Sequence, residues 1–159
     1  KKETGEAHRY LAEIAMKKKD WNTAELESQR ATVLEPNNAH YNLLYVRCLK
    51  AQKKYVQALE AIRRAIRYAQ PPRLDFYNIQ AQLYWKLGDY QAAIDSWEVA
   101  HEIAPQNAHY PRQIAHSYKM LQDFSAAERY YLAALKLKPE DKGLKRELEE
   151  VRKINKKFK

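Results

Sequence analysis

Glycine is nearly absent from this chain, with only Gly5, Gly88 and Gly143 among 159 residues. So sparse a set cannot build a phosphate-cradling loop, in which several glycines let the backbone approach the ligand. Cysteine is rarer still. Cys48 alone cannot close an internal disulfide, and between Arg47 and Leu49 in a helical run it reads as a small packing residue. No apolar run approaches the ~18 residues of a membrane span, and no signal-peptide pattern opens the chain. A soluble chain is expected, with no compartment assigned. No nucleophile stands near an ordered base and no paired carboxylates suggest a cleft; Ser28, Ser96, Ser117 and Ser125 lie within helical runs or at their starts. The chain is therefore expected to be no enzyme and to need no cofactor.

What is plentiful points to helix. Ala, Leu, Lys, Glu, Gln and Arg, all strong helix formers, dominate, and six prolines punctuate the pattern. The class is all-α. Lys and Arg outnumber Asp and Glu by 29 to 20, a net charge of +9 that fits an acidic partner. The excess is concentrated. Residues 39–72 hold seven Lys or Arg against one Glu, and 142–159 hold eight against three, whereas 74–107 hold one Lys against five acidic residues.

The chain repeats itself. Ala24, Ala58, Ala93 and Ala127 are separated by 34, 35 and 34 residues, and so are Ala31, Ala65, Ala100 and Ala134. The aromatic series Trp21, Tyr55, Tyr90 and Phe124 keeps the same intervals, as does the small series Ala12, Val46, Ala81 and Ala115. Pro36, Pro105 and Pro139 close three units, and Asn38-Ala39-His40-Tyr41 returns as Asn107-Ala108-His109-Tyr110. Each unit splits into two amphipathic stretches of about 14 residues with apolar positions at i, i+3, i+4 and i+7. Near Pro71 and Pro72, where the interval becomes 35, the helix before them must end.

A period of 34 with small residues, an aromatic at the hairpin turn and a closing Pro resembles the tetratricopeptide repeat. The third unit carries the pattern best, in Tyr84, Gly88-Asp89-Tyr90, Ala93, Trp97, Ala100 and Pro105; the fourth follows with Tyr118, Asp123-Phe124, Ala127, Tyr131, Ala134 and Pro139. The first two depart from it, with Ser28 where later units have Trp97 and Tyr131, and Gln70 before a Pro71-Pro72 pair. The resemblance implies one domain over 1–159, a right-handed α-solenoid of antiparallel helical hairpins. Its units would be 5–38, 39–72, 74–107 and 108–141, and 142–159 would form a capping helix. In that helix Leu144, Leu148, Val151 and Phe158 make the covering stripe, while Lys145, Arg146, Glu149, Arg152, Lys153 and Lys156 meet water. At the other end the outer face of the first hairpin is left to Lys1 to Thr4 or to further repeats upstream, and self-association through it is a third functional reading.

In this family the first helix of each hairpin lines a concave groove. The residues there not needed for packing form triplets at i, i+4, i+7: Arg9, Glu13 and Met16; Leu43, Arg47 and Lys50; Asn78, Gln82 and Trp85; Arg112, His116 and Lys119. Five cations, one carboxylate and a large aromatic suit a peptide or protein segment that carries carboxylates and one apolar anchor. The expected function is a protein interaction scaffold. Relatives that grip chaperone C-termini share a clamp of Lys and Asn that this chain lacks: Glu13 replaces an Asn, Leu43-Leu44 leaves no amide, and Asn78 with Gln82 stand where Lys and Arg would be.

Arg63, Arg64 and Arg67 fall on the second helix of their hairpin, where a basic run is ordinarily a solvated face. Their sharper reading is contact with an acidic neighbour or partner. Nucleic acid is the alternative class, disfavoured because the acidic third unit interrupts any positive track. Of the five histidines only His109 and His116 share a face, about 10 Å apart along the helix, too far to bind one metal ion without further ligands.

Overall fold

The structure is a computed structural model that describes residues 4–157; Lys1, Lys2, Glu3 and Phe158, named above, lie outside the described residues. Nine helices account for nearly all of those described: α1 (Gly5–Lys17), α2 (Trp21–Leu34), α3 (Ala39–Ala51), α4 (Tyr55–Tyr68), α5 (Leu74–Leu87), α6 (Tyr90–Ile103), α7 (His109–Met120), α8 (Phe124–Leu137) and α9 (Lys142–Lys157). The chain divides into two compact units between Leu83 and Tyr84, within α5.

Helix starts follow from capping chemistry. Asp20, Asp89 and Asp123 each accept a hydrogen bond from the backbone N–H three residues on, at 3.2, 3.1 and 2.9 Å, satisfying a donor that the first turn leaves unpaired. Thr4 does the same for α1 and Asn38 for α3. The turn before each second helix needs one residue in the left-handed region: Lys19 (φ 59°), Lys53 (59°), Gly88 (82°) and Gln122 (62°), all at one repeat position. Only one of the four is glycine. The others carry the steric cost of a Cβ there.

The small-residue series explain how the helices approach. Ala12, Val46, Ala81 and Ala115, Ala24, Ala58, Ala93 and Ala127, and Ala31, Ala65, Ala100 and Ala134 are all at most 1% exposed. With no bulk at these sites, neighbouring backbones close up, and larger side chains fill the spaces between. In the first unit Tyr45, Val46 and Leu49 of α3 pack with Ala58, Ile62 and Ala65 of α4 and with Phe76 and Leu83 of α5. In the second, Leu144, Leu148 and Val151 of α9 lie against Ala127, Tyr131 and Ala134 of α8 and Ala115 of α7.

One repeat position sets the first hairpin apart. Ile62, Trp97 and Tyr131 fill it in later repeats, whereas Ser28 stands there buried, turning its hydroxyl back to the Glu25 carbonyl at 3.0 Å. Cys48 packs nearby with Ala15 and Ala24, and burial pushes its thiol up. Beside them lies a buried polar pair: Nδ1 of His8 sits 2.6 Å from Oε2 of Glu27, whose other oxygen accepts from Arg30 at 3.0 Å. Periodicity gives no warning of this pair, because it joins residues 19 apart that stand at helix positions open to either polarity.

Candidate functional site

The first helices of the hairpins carry the expected triplets, and their surroundings differ between the two units. In the first unit, Glu13 of α1 accepts from Nη1 of Arg9 at 2.8 Å and lies 3.4 Å from Nε2 of His40 on α3. Burial pushes the Glu13 carboxyl up, but the hydrogen bonds from Arg9 and His40 prevail and hold it below its ordinary value. Arg9 is therefore engaged, with its guanidinium also 3.9 Å above the Tyr10 ring. Lys50 of α3 donates to Gln82 of α5 at 3.4 Å. Arg47 is exposed and has no carboxylate within ion-pair distance among the described residues.

A cleft of ≈ 440 Å³ opens beside Arg47. Its apolar lining comes from Met16 of α1, Leu43 and Leu44 of α3 and Ile79 of α5; Lys17 and Arg47 supply cations, and Glu13, Asp75 and His40 complete the rim. Asp75 is already held by Arg73, at 2.7 Å. The chemistry on offer is an apolar socket with one unpaired guanidinium at its mouth. Of these residues, Lys17, His40, Leu44, Asp75 and Ile79 lie outside the triplets. The sequence carried one signal for His40: it recurs as His109 at the same joint.

In the second unit the triplet on α7 faces α9. Arg112 donates Nε to Oε2 of Glu147 at 3.0 Å and Nη2 to Oε1, Nε2 of His116 lies 3.4 Å from the same carboxylate, and Lys119 donates to Glu150 at 2.9 Å. The bond to Glu147 raises the Arg112 guanidinium, and the bond from Lys119 lowers the Glu150 carboxyl. Lys119 and Lys50 occupy one repeat position, and Glu150 and Gln82 another, so the same reach from one first helix to the next occurs in both units. Trp85 is half-buried, edge-on to Tyr90 with ring centres 5.7 Å apart, and its indole Nε1 is buried without a hydrogen-bond acceptor. Asn78 is half-buried on α5 in the first unit. The outward residues of α9 named from sequence are exposed; Arg152 reaches Glu128 at 2.7 Å.

Profiles described as tetratricopeptide repeat match residues 46–108 and 113–141, together more than half of the chain. The chain belongs to the tetratricopeptide repeat family. No curated protein matches it in sequence. Among solved structures it is similar to MamA residues 41 to the end from Desulfovibrio magneticus RS-1, with a TM-score of 0.81 and 14% identity over 96% of this chain and 85% of that one. It is also similar to a tetratricopeptide repeat protein from Parabacteroides merdae, with a TM-score of 0.79 and 20% identity over 93% of this chain and 60% of that one. A third is YrrB, described as a TPR protein with an unusual peptide-binding site, with a TM-score of 0.75 and 13% identity over 94% and 76%. These likenesses establish the fold, an all-α solenoid of helical hairpins, and the family is one of protein interaction scaffolds that are in general non-enzymatic. Among the described residues no helix is long and apolar enough to cross a membrane.

Proposed function

We propose that this chain holds a segment of a partner protein on the groove-lining helices of its first unit. An apolar side chain of the partner enters the cleft over Met16, Leu43, Leu44 and Ile79, and a neighbouring carboxylate pairs with Arg47. The observation that carries this reading is the apolar cleft with an unpaired guanidinium at its mouth. Socket and charge together select for a side-chain type and a charge, which is how a few residues dominate recognition. Arg9, Lys50, Arg112 and Lys119 have partners within the chain. They therefore contribute less than Arg47, whose cleft stands open.

Selection from a displayed random peptide library tests the reading, with Leu43→Glu and Arg47→Glu as counter-targets after circular dichroism shows both folded. Peptides enriched on the unaltered chain should carry an apolar residue near an acidic one and lose more than 1 kcal/mol on each variant. Peptides that bind all three proteins equally would place the site elsewhere. A titration of single-stranded nucleic acid across a salt series covers the alternative class, which would show steep salt dependence.

A second reading is self-association through α1. Leu11 and Ile14 are half exposed, whereas Tyr45 and Ile114, and Cys48, Leu83 and Ser117, at the equivalent positions, are buried. Sedimentation at several concentrations, with Leu11→Glu as control, would expose it.

A further inference from the structure

A second cleft in the first unit, of ≈ 620 Å³, is lined by Arg63, Arg64 and Arg67 of α4 together with Glu60, Ile66 and Gln80. It shares no lining residue with the groove cleft, although α5 contributes Gln80 here and Asp75 and Ile79 there. We propose that it is a binding site for a short acidic protein segment with two or three carboxylates close together.

The three guanidinium groups are spaced i, i+1 and i+4, so they crowd within about 6 Å of rise along one helix. Like charges so placed repel, each i, i+4 pair costing a few tenths of a kcal/mol. Five other arginines, Arg9, Arg30, Arg73, Arg112 and Arg152, each have a carboxylate within 4 Å. Arg63, Arg64 and Arg67 have none among the described residues, although Glu60 stands one turn away. The repulsion is therefore left for an outside anion to relieve.

The cleft is also rigidly backed. The opposite side of α4, through Ala58, Ala61, Ile62 and Ala65, is buried against Phe76 and Leu83, so the arginines project from a fixed element. A guanidinium fork binds a carboxylate by two parallel hydrogen bonds, which makes clustered carboxylates the matching ligand. Charge extent decides between an acidic peptide and a nucleic acid. The cations span one turn and Glu60 ends them, so a continuing chain of phosphates would meet a negative charge where a short carboxylate cluster has already stopped.

Fluorescence anisotropy with the whole chain tests this. The probes are a short labelled peptide with a central run of glutamates, its glutamine counterpart and a labelled single-stranded oligonucleotide. The glutamate peptide should bind and the glutamine peptide should not. Arg63→Ala with Arg67→Ala should weaken binding about tenfold or more, and the double Lys variant should keep part of it. Leu43→Glu, in the groove cleft, should leave it unchanged, which separates this site from the groove. The alanine variant loses exposed like charges, so its thermal midpoint should not fall. Binding unaffected by the alanine pair, no binding of the glutamate peptide, or tighter binding of the oligonucleotide would each overturn the proposal.

Discussion

Arg112 and Glu147 meet side by side, the guanidinium Nε donating to Oε2 at 3.0 Å while Nη2 donates to Oε1, and this fork ties α9 to α7. Both groups are partly shielded, so the pair outlasts an ordinary surface contact without carrying the desolvation of a buried one. Glu147→Gln should lower the unfolding free energy by about 1 kcal/mol, and a double-mutant cycle with Arg112→Met should return a coupling of similar size. Additive effects in chemical denaturation would show that the two groups do not support each other.

Two histidines of α7 make stability sensitive to acid. Burial depresses His116 below its ordinary value of 6.5, with Glu147 opposing and Arg112 and Lys119 reinforcing the shift. Burial depresses His109 likewise, with Arg112 and His116 nearby. A lowered histidine contributes stability above its ordinary pKa, and that contribution is lost as pH falls through the folded value. Thermal midpoints should therefore drop as pH passes below 6.5, and His116→Gln should flatten the dependence.

The four left-handed turn positions permit a paired test. A Cβ built on Gly88 meets no atom within 4 Å, so Gly88→Ala should cost about 1 kcal/mol from backbone conformation alone. Lys53→Gly should do the reverse and raise the midpoint, since it removes a Cβ from the same conformation. Opposite signs in thermal denaturation are the expected result.

Ala127 is fully buried in the core shared by α7, α8 and α9. Ala127→Leu should overpack this contact and cost ~1–3 kcal/mol in denaturant titration. The exposed neighbour Arg129 provides a control in Arg129→Leu, which should cost little.

Fold class and family were legible because the repeat writes the packing rule several times over: small residues return every 34 or 35 positions, and all of them are buried. The polar stripes along the first helices could be drawn too, since helical periodicity places Glu13, Arg47 and Lys119 on faces without help from tertiary structure. What periodicity could not supply is which cation is already spent. Arg47 and Arg112 look alike in sequence, yet one is unpaired and the other is forked to Glu147, 35 residues away. The cleft beside Arg47 also draws Met16 from α1 and Asp75 and Ile79 from α5, and the depth of a socket depends on how those helices lean together.

Ser28, standing where Ile62, Trp97 and Tyr131 fill later repeats, has a consequence for how the chain opens. A hydroxyl group contributes far less apolar burial than an indole or a sec-butyl group, and the neighbouring His8 and Glu27 add polar desolvation to the same hairpin. Amide protons of α1 and α2 should then exchange with deuterated solvent sooner than those of α7 and α8, so a protease would make its first cuts in the leading hairpin.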